Sequence, residues 1–228
     1  MPFTADELTV LALSLRVAAW ATLGSVLLAL PVALLLARGR FWGRSVLNAL
    51  VHLPLVMPPV VTGYLLLHAL GTRGTIGGWL ADTLGIVFAF RWTGAALAAG
   101  VMGFPLVVRA IRIGIEQVDP RLEETAATLG AGPLRVWLTI TLPLSLNAIV
   151  AGAILGFAKA LGEFGATITF VSNIPGETQT LALAIYAATQ TPGGDARVFR
   201  LLALSVAASL VALLLSEALV RRRRVDDR

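Results

Sequence analysis

Five stretches of this chain are long and apolar enough to cross a lipid bilayer, which takes about 20 consecutive residues, within a range near 17–25. They fall at about residues 12–37, 45–70, 92–112, 136–161 and 199–220. The first is uncharged from Val17 to Ala37 and closes on Arg38, Arg40 and Arg44; the last closes on Arg221–Arg224. Composition removes the alternative of a soluble core. Of 228 residues, 57% are hydrophobic and 14% charged, against about 45–50% and about 25% in an ordinary soluble domain. A globule of this size could not cover so much apolar surface with so few polar side chains. The expected fold is therefore all-α: a polytopic membrane helical bundle of about five transmembrane helices, forming one domain over residues 1–228.

Arginine placement assigns sides. If all five stretches cross, the connection at 38–44, the loop at about 115–135 and the C-terminal tail share a face. With the adjoining Arg109 and Arg112, they hold twelve of the seventeen arginines. The positive-inside rule puts that face in the cytoplasm, with the N-terminus outside and the C-terminus inside. The formal net charge of +5 thus reads as a topology signal, and Arg221–Arg224 as an anchor to anionic headgroups, with no nucleic-acid patch. A sixth span at Thr180–Thr189 is too short, and would move the basic tail outside. It reads as a short amphipathic or partly inserted segment. The glycine- and proline-rich runs GTRGTIGG, SNIPGET and TPGGD in the outer connections read as turns.

Several chemistries are excluded. The absence of cysteine removes disulfides, thiol nucleophiles and thiolate metal sites. His52 and His68 are sixteen positions apart and form no metal-binding pair, so no metal site is expected. The first residues, with Asp6 and Glu7, lack the basic region of a signal peptide, so the first apolar stretch is expected to be retained. No phosphate-binding G-x-x-x-x-G-K-[ST] loop occurs. If ATP drives this protein, a partner must bring it.

The loop between the third and fourth stretches is the informative one. Asp119 can cap a helix that has Pro120 at its first position. Glu123 and Glu124 occupy the early turns, where negative charge suits the helix dipole. Gly130 suits a left-handed terminating residue, and Gly132-Pro133 restarts a helix rising into the fourth stretch. Leu122, Ala126 and Leu129 form a narrow apolar stripe. Such a helix can lie on lipid headgroups or dock in a groove of another protein.

The residues Glu124-Thr125-Ala126, then Gly130, then Ile140-Thr141-Leu142-Pro143, resemble the cytoplasmic signature of ABC-importer permeases in both spacings; Thr125 stands where the signature has alanine. The stretches HLPLVMPPVVTGYLLL (52–67) and LGEFGATITFVSNIPGETQTLALAIYAATQTPGGD (161–195) resemble the molybdate permease subunits of that family and, less closely, the sulfate and thiosulfate permeases. The resemblance implies a type I ABC-importer permease fold with a cytoplasmic coupling helix. It implies ATPase-coupling roles for Glu123, Glu124, Thr125, Ala126, Gly130, Ile140, Leu142 and Pro143. The implied partners are two copies of a cytoplasmic ABC ATPase subunit, an extracytoplasmic oxyanion-binding protein, a second permease copy and membrane lipid. No cofactor is expected on this chain, since ATP and Mg would be used by the ATPase. A catalytic site is not expected either.

The translocation pathway is less sharply written. Pro54, Pro58 and Pro59 remove backbone donors and bend the second stretch. With Thr62 and Gly63 they mark either a packed kink or a movable, pore-facing segment. Lys159 and Glu163, at i and i+4, read first as an ion pair near the outer interface. In the second reading Lys159 faces the cavity and favours a dianion. Asn48 and Asn147 read as polar glue between helices, and Trp20, Tyr64, Trp79 and Trp92 as interfacial or packing aromatics. A secondary transporter working without ATP would normally show midspan carboxylates or internal repeats. An intramembrane enzyme would need clustered acid–base or nucleophilic groups. Neither pattern is present.

Overall fold

The computed structural model describes residues 3–226, with side chains described for residues 3–214. It is all-helical, without strand among the described residues. Helix α1 (Ala5–Arg38) begins with a reciprocal capping box: Thr4 Oγ1 accepts from Glu7 N at 3.3 Å, and the Glu7 carboxylate accepts from Thr4 N at 3.0 Å. It is followed by α2 (Arg44–Val56), α3 (Pro59–Leu70), α4 (Thr75–Leu84) and α5 (Trp92–Glu116). Then come α6 (Pro120–Thr128), α7 (Pro133–Val136), a π-helical turn at Trp137–Thr141, α8 (Leu142–Leu144), α9 (Leu146–Leu161), α10 (Gly165–Val171), α11 (Leu181–Thr189) and α12 (Asp195–Asp226).

Three helices, α1, α5 and α12, are long and apolar enough to cross a membrane unbroken, and two bent pairs bring the candidate spans to five. The expected second stretch is the pair α2–α3, turned through 112° at Met57–Pro58. Pro58 and Pro59 cannot donate to the ladder, so the helix stops and restarts in a new direction. The expected fourth stretch differs from a single helix: it bends by 68° at Ser145. Pro143 lacks the donor that would bond Thr139, and the preceding turn widens so that Leu142 N reaches Trp137 O. The GTRGTIGG run also departs from a pure turn, since Thr75–Leu84 is helical. Gly77 fits because its bare α-carbon lies against the backbone of Leu70 and Gly71; an added Cβ would come within 2.3 Å of it. The short α11 is packed against α1 and α12. Leu181, Ala184 and Ala188 are buried with Val10 of α1 and Leu201 and Leu204 of α12.

Helix α5 is the centre of the bundle, packed between α1 and α9. The contact surfaces are built of small residues: Ala18, Ala21, Ala29 and Ala33 on α1 and Ala95, Ala98 and Ala99 on α5 are all buried. Small side chains let backbones approach closely where lipid supplies no hydrophobic drive between helices. Gly114 of α5 is a tight case, for a Cβ there would lie 2.1 Å from that of Ala148. At the end away from α6, Arg200 of α12 donates to the buried Glu7 at 2.8 Å, and Ser14 Oγ accepts from Leu181 N at 2.7 Å. The reading of Arg221–Arg224 as an anchor falls on side chains outside those described.

Candidate functional site: the α6 loop and the α3–α10 crossing

Helix α6 is set by its ends. The Asp119 carboxylate accepts from Arg121 N at 3.0 Å, and Pro120 takes the first turn. At the other end Ala131 N donates to Ala126 O and Gly130 N to Ala127 O, both at 3.0 Å, with Gly130 at φ +88°. This is a Schellman termination, which needs a residue comfortable in the left-handed region. Gly132 and Pro133 then start α7.

The two adjacent glutamates of α6 part company. Glu123 turns into the bundle: Thr141 Oγ1 donates to Oε1 at 2.7 Å, and Arg38 Nη2 donates to the same oxygen at 3.2 Å. Arg38 Nη2 also donates to Val118 O at 2.8 Å. One carboxylate thereby links α6 to the last turn of α1 and to the π-helical turn. Glu124 and Thr125 are exposed, as are Leu122 and Leu129, the latter 84% exposed. Ala126 is half-buried, so the expected apolar stripe lies largely open. Ile140 and Leu142 are half-buried and Pro143 is exposed. Thr141 is buried and, like Arg38, takes its role from the contact with Glu123, which neither the signature nor the arginine distribution points to. Nearby, Arg112 donates to Asn48 Oδ1 at 3.0 Å, bearing out polar glue between α5 and α2, and Arg44 binds Leu36 O to close α1.

The expected pathway residues meet elsewhere, where α3 crosses α10. A Cβ on Gly63 would lie 2.5 Å from Ala166 O, and one on Gly165 would lie 2.6 Å from Pro59 Cβ. The two helices approach closely here, with the Pro59 ring against Gly165 and Thr169 Cβ beside Gly63. Thr62 is buried, and its hydroxyl has no partner among the described residues. Glu163 lies in the break between α9 and α10 and is 2% exposed. Its Oε1 accepts from Ala166 N at 3.0 Å, capping α10, while Lys159 Nζ is 2.5 Å from Oε2. Lys159 and Glu163 thus form the expected ion pair, and the lysine's charge has its counterion. Pro58 is exposed on the turn. Among the described residues, no group of three or more His, Asp or Glu is placed to hold a metal.

Residues 29–225 match the family described as "Binding-protein-dependent transport system inner membrane component". The chain belongs to this family. It is 55% identical over 216 residues to the molybdenum transport system permease protein ModB of Haemophilus influenzae, covering 95% of this chain and 94% of that one. With ModB of Escherichia coli K12 the identity is 54% over 224 residues, 98% of each chain. The Escherichia coli sulfate transport system permease protein CysT is 38% identical over 161 residues, 71% of this chain and 58% of that one. In fold the chain is similar to a bacterial ABC transporter that imports alginate (TM-score 0.74, 18% identity, 96% of this chain and 80% of that one). It is also similar to the MetNI methionine ABC transporter in inward-facing form (TM-score 0.69, 15% identity, 96% and 99%).

Proposed function

We propose that this family member is the permease subunit of an ATP-driven importer that carries molybdate across the cytoplasmic membrane by alternating access. The observation that carries the reading is identity of 54–55% with two molybdenum permeases across nearly the whole chain. The open outer surface of α6, joined on its inner side to α1 and the π-helical turn, supports the coupling role. Two ATPase subunits would seat α6 of two permease copies, and their ATP-driven approach would rock the bundles between inward- and outward-open forms. Glu124, Thr125 and Ala126 would face the ATPase, and Gly130 would make the turn behind them. Ile140, Leu142 and Pro143 would shape the return into the bundle.

The permease would be non-catalytic and bind no cofactor; ATP and Mg belong to the ATPase. A two-fold permease dimer would place the passage on its axis, with Pro58, Pro59 and Thr62 near the gate. An extracytoplasmic oxyanion-binding protein would deliver the anion and set most of the selectivity. The arginine distribution supports an outside N-terminus and a cytoplasmic C-terminus. Similarity to CysT favours sulfate as the second reading of the cargo.

The test is uptake of labelled molybdate into vesicles holding the permease, its ATPase and its binding protein. ATP-dependent uptake of molybdate in preference to sulfate is expected. Uptake that persists without ATP would assign the protein to secondary transport.

A further inference from the structure

Helices α1, α2 and α5 enclose a groove of about 610 Å3 on the side of the bundle. Its walls include Trp20, Leu28 and Val32 of α1, Pro54 of α2, and Trp92 and Phe104 of α5. In the floor, Ser25 Oγ already donates to Gly100 O at 3.2 Å, so it needs no polar occupant. Trp20–Val32 and Trp92–Phe104 each span about 18 Å at 1.5 Å per residue. The apolar walls of the groove suit an extended hydrocarbon chain.

Its tryptophan end carries charge. The Arg16 guanidinium lies 3.7 Å over the Trp92 ring. The ion pairs among the described residues engage Arg38, Arg112, Lys159 and Arg200, and none engages Arg16. Arg91, exposed, precedes Trp92. A cation stacked on an interfacial aromatic, at the mouth of an apolar slot, complements a phosphate joined to an acyl chain.

We infer that this groove is a binding site for an anionic phospholipid, with one acyl chain lying between α1 and α5 and the phosphate on Arg16. The site stands apart from the coupling loop and is independent of which anion the protein carries. Purified permease, stripped of lipid in detergent and offered equal phosphatidylglycerol and phosphatidylcholine, is expected by native mass spectrometry to retain the anionic lipid about fivefold over the zwitterionic one.

Gly24 supplies a clean obstruction, since an added Cβ meets nothing within 4 Å. Gly24→Phe is expected to lower retention of both lipids. Arg16→Gln, which removes the cation from over the Trp92 ring, is expected to abolish the preference while leaving some lipid bound. Equal retention of the two lipids by the unaltered protein, or unaltered retention by both variants, overturns the site. A Gly24→Phe protein that changes oligomeric state and keeps its lipid would assign the groove to a second copy of the chain instead.

Discussion

Thr141 donates to Glu123 at 2.7 Å, and so the π-helical turn at the foot of the fourth span is fastened to α6 by a side chain as well as by the intervening loop. Arg38 fastens the same carboxylate to α1. A hydrogen bond to a charged group contributes about 1.5–3 kcal/mol, enough to carry a displacement of α6 into two helices. Because Glu123 faces inward, Glu123→Ala is expected to keep the ATPase bound and hydrolysing ATP. Transport per ATP should fall roughly tenfold, by loss of about 1.4 kcal/mol or more of linkage. Pairing ATPase and uptake assays on one preparation checks this, and loss of ATPase co-purification would place Glu123 on the outer face.

Gly130 holds φ +88° at the end of α6. A β-branched residue there is strained by about 1–3 kcal/mol, and Gly130→Val should relieve the strain by unwinding the Schellman turn. ATP hydrolysis uncoupled from uptake is the expected phenotype. Gly130→Asn, which tolerates the left-handed region, should retain more activity. Equal uptake in all three proteins would show that the turn has no part in coupling.

The Lys159–Glu163 pair is lopsided, with the carboxylate 2% exposed and the lysine 30% exposed along their side chains. Removing the lysine strands a buried charge, whereas Glu163→Gln keeps an oxygen to cap Ala166 N. Lys159→Met is therefore expected to lower the thermal midpoint more than Glu163→Gln. The double variant should recover part of the loss, with a coupling of about 0.5–3 kcal/mol. Thermal unfolding of the four proteins in detergent tests it; additive losses would mean that the two charges do not communicate.

At the α3–α10 crossing, Gly63 has the Ala166 carbonyl where its Cβ would be. Gly63→Val must push the helices apart, at the roughly 1–3 kcal/mol typical of overpacking. A lower melting temperature is expected together with reduced uptake, while the α6 end continues to bind the ATPase. A protein as stable as the unaltered one would show that the crossing opens freely.

The legible parts of this fold were those with local causes. Asp119 and Pro120 begin α6, Gly130 ends it, and Pro58-Pro59 break the second span, each because one residue type dictates its own backbone. The rest depended on partners remote in sequence. Glu123 and Glu124 are chemically identical neighbours about 100° apart around the helix, and which one faces inward depends on Arg38, far back in the chain. Helix α4 hides in a glycine-rich run because Gly77 answers to the backbone of Leu70 and Gly71, a packing need that looks like a turn signal. The break at Ser145 is not written at its own position, because Pro143 acts on the turn before it. In the candidate site, the loop signature was readable through its resemblance to that of ABC-importer permeases. The packing of Pro59 on Gly165 and the capping role of Glu163 required the fold.

Helix α1 has 34 residues and measures about 51 Å at 1.5 Å per residue, while a bilayer's hydrocarbon layer is about 30 Å thick. Its uncharged portion from Val17 to Ala37 already fills that layer. The initial turns extend beyond that uncharged portion, and Glu7 on Arg200 and Ser14 on Leu181 brace them at the end of the bundle farthest from α6. Trimming the turns before residue 12 is expected to leave the apolar stretch whole and to loosen the anchorage of α11 and α12 on α1.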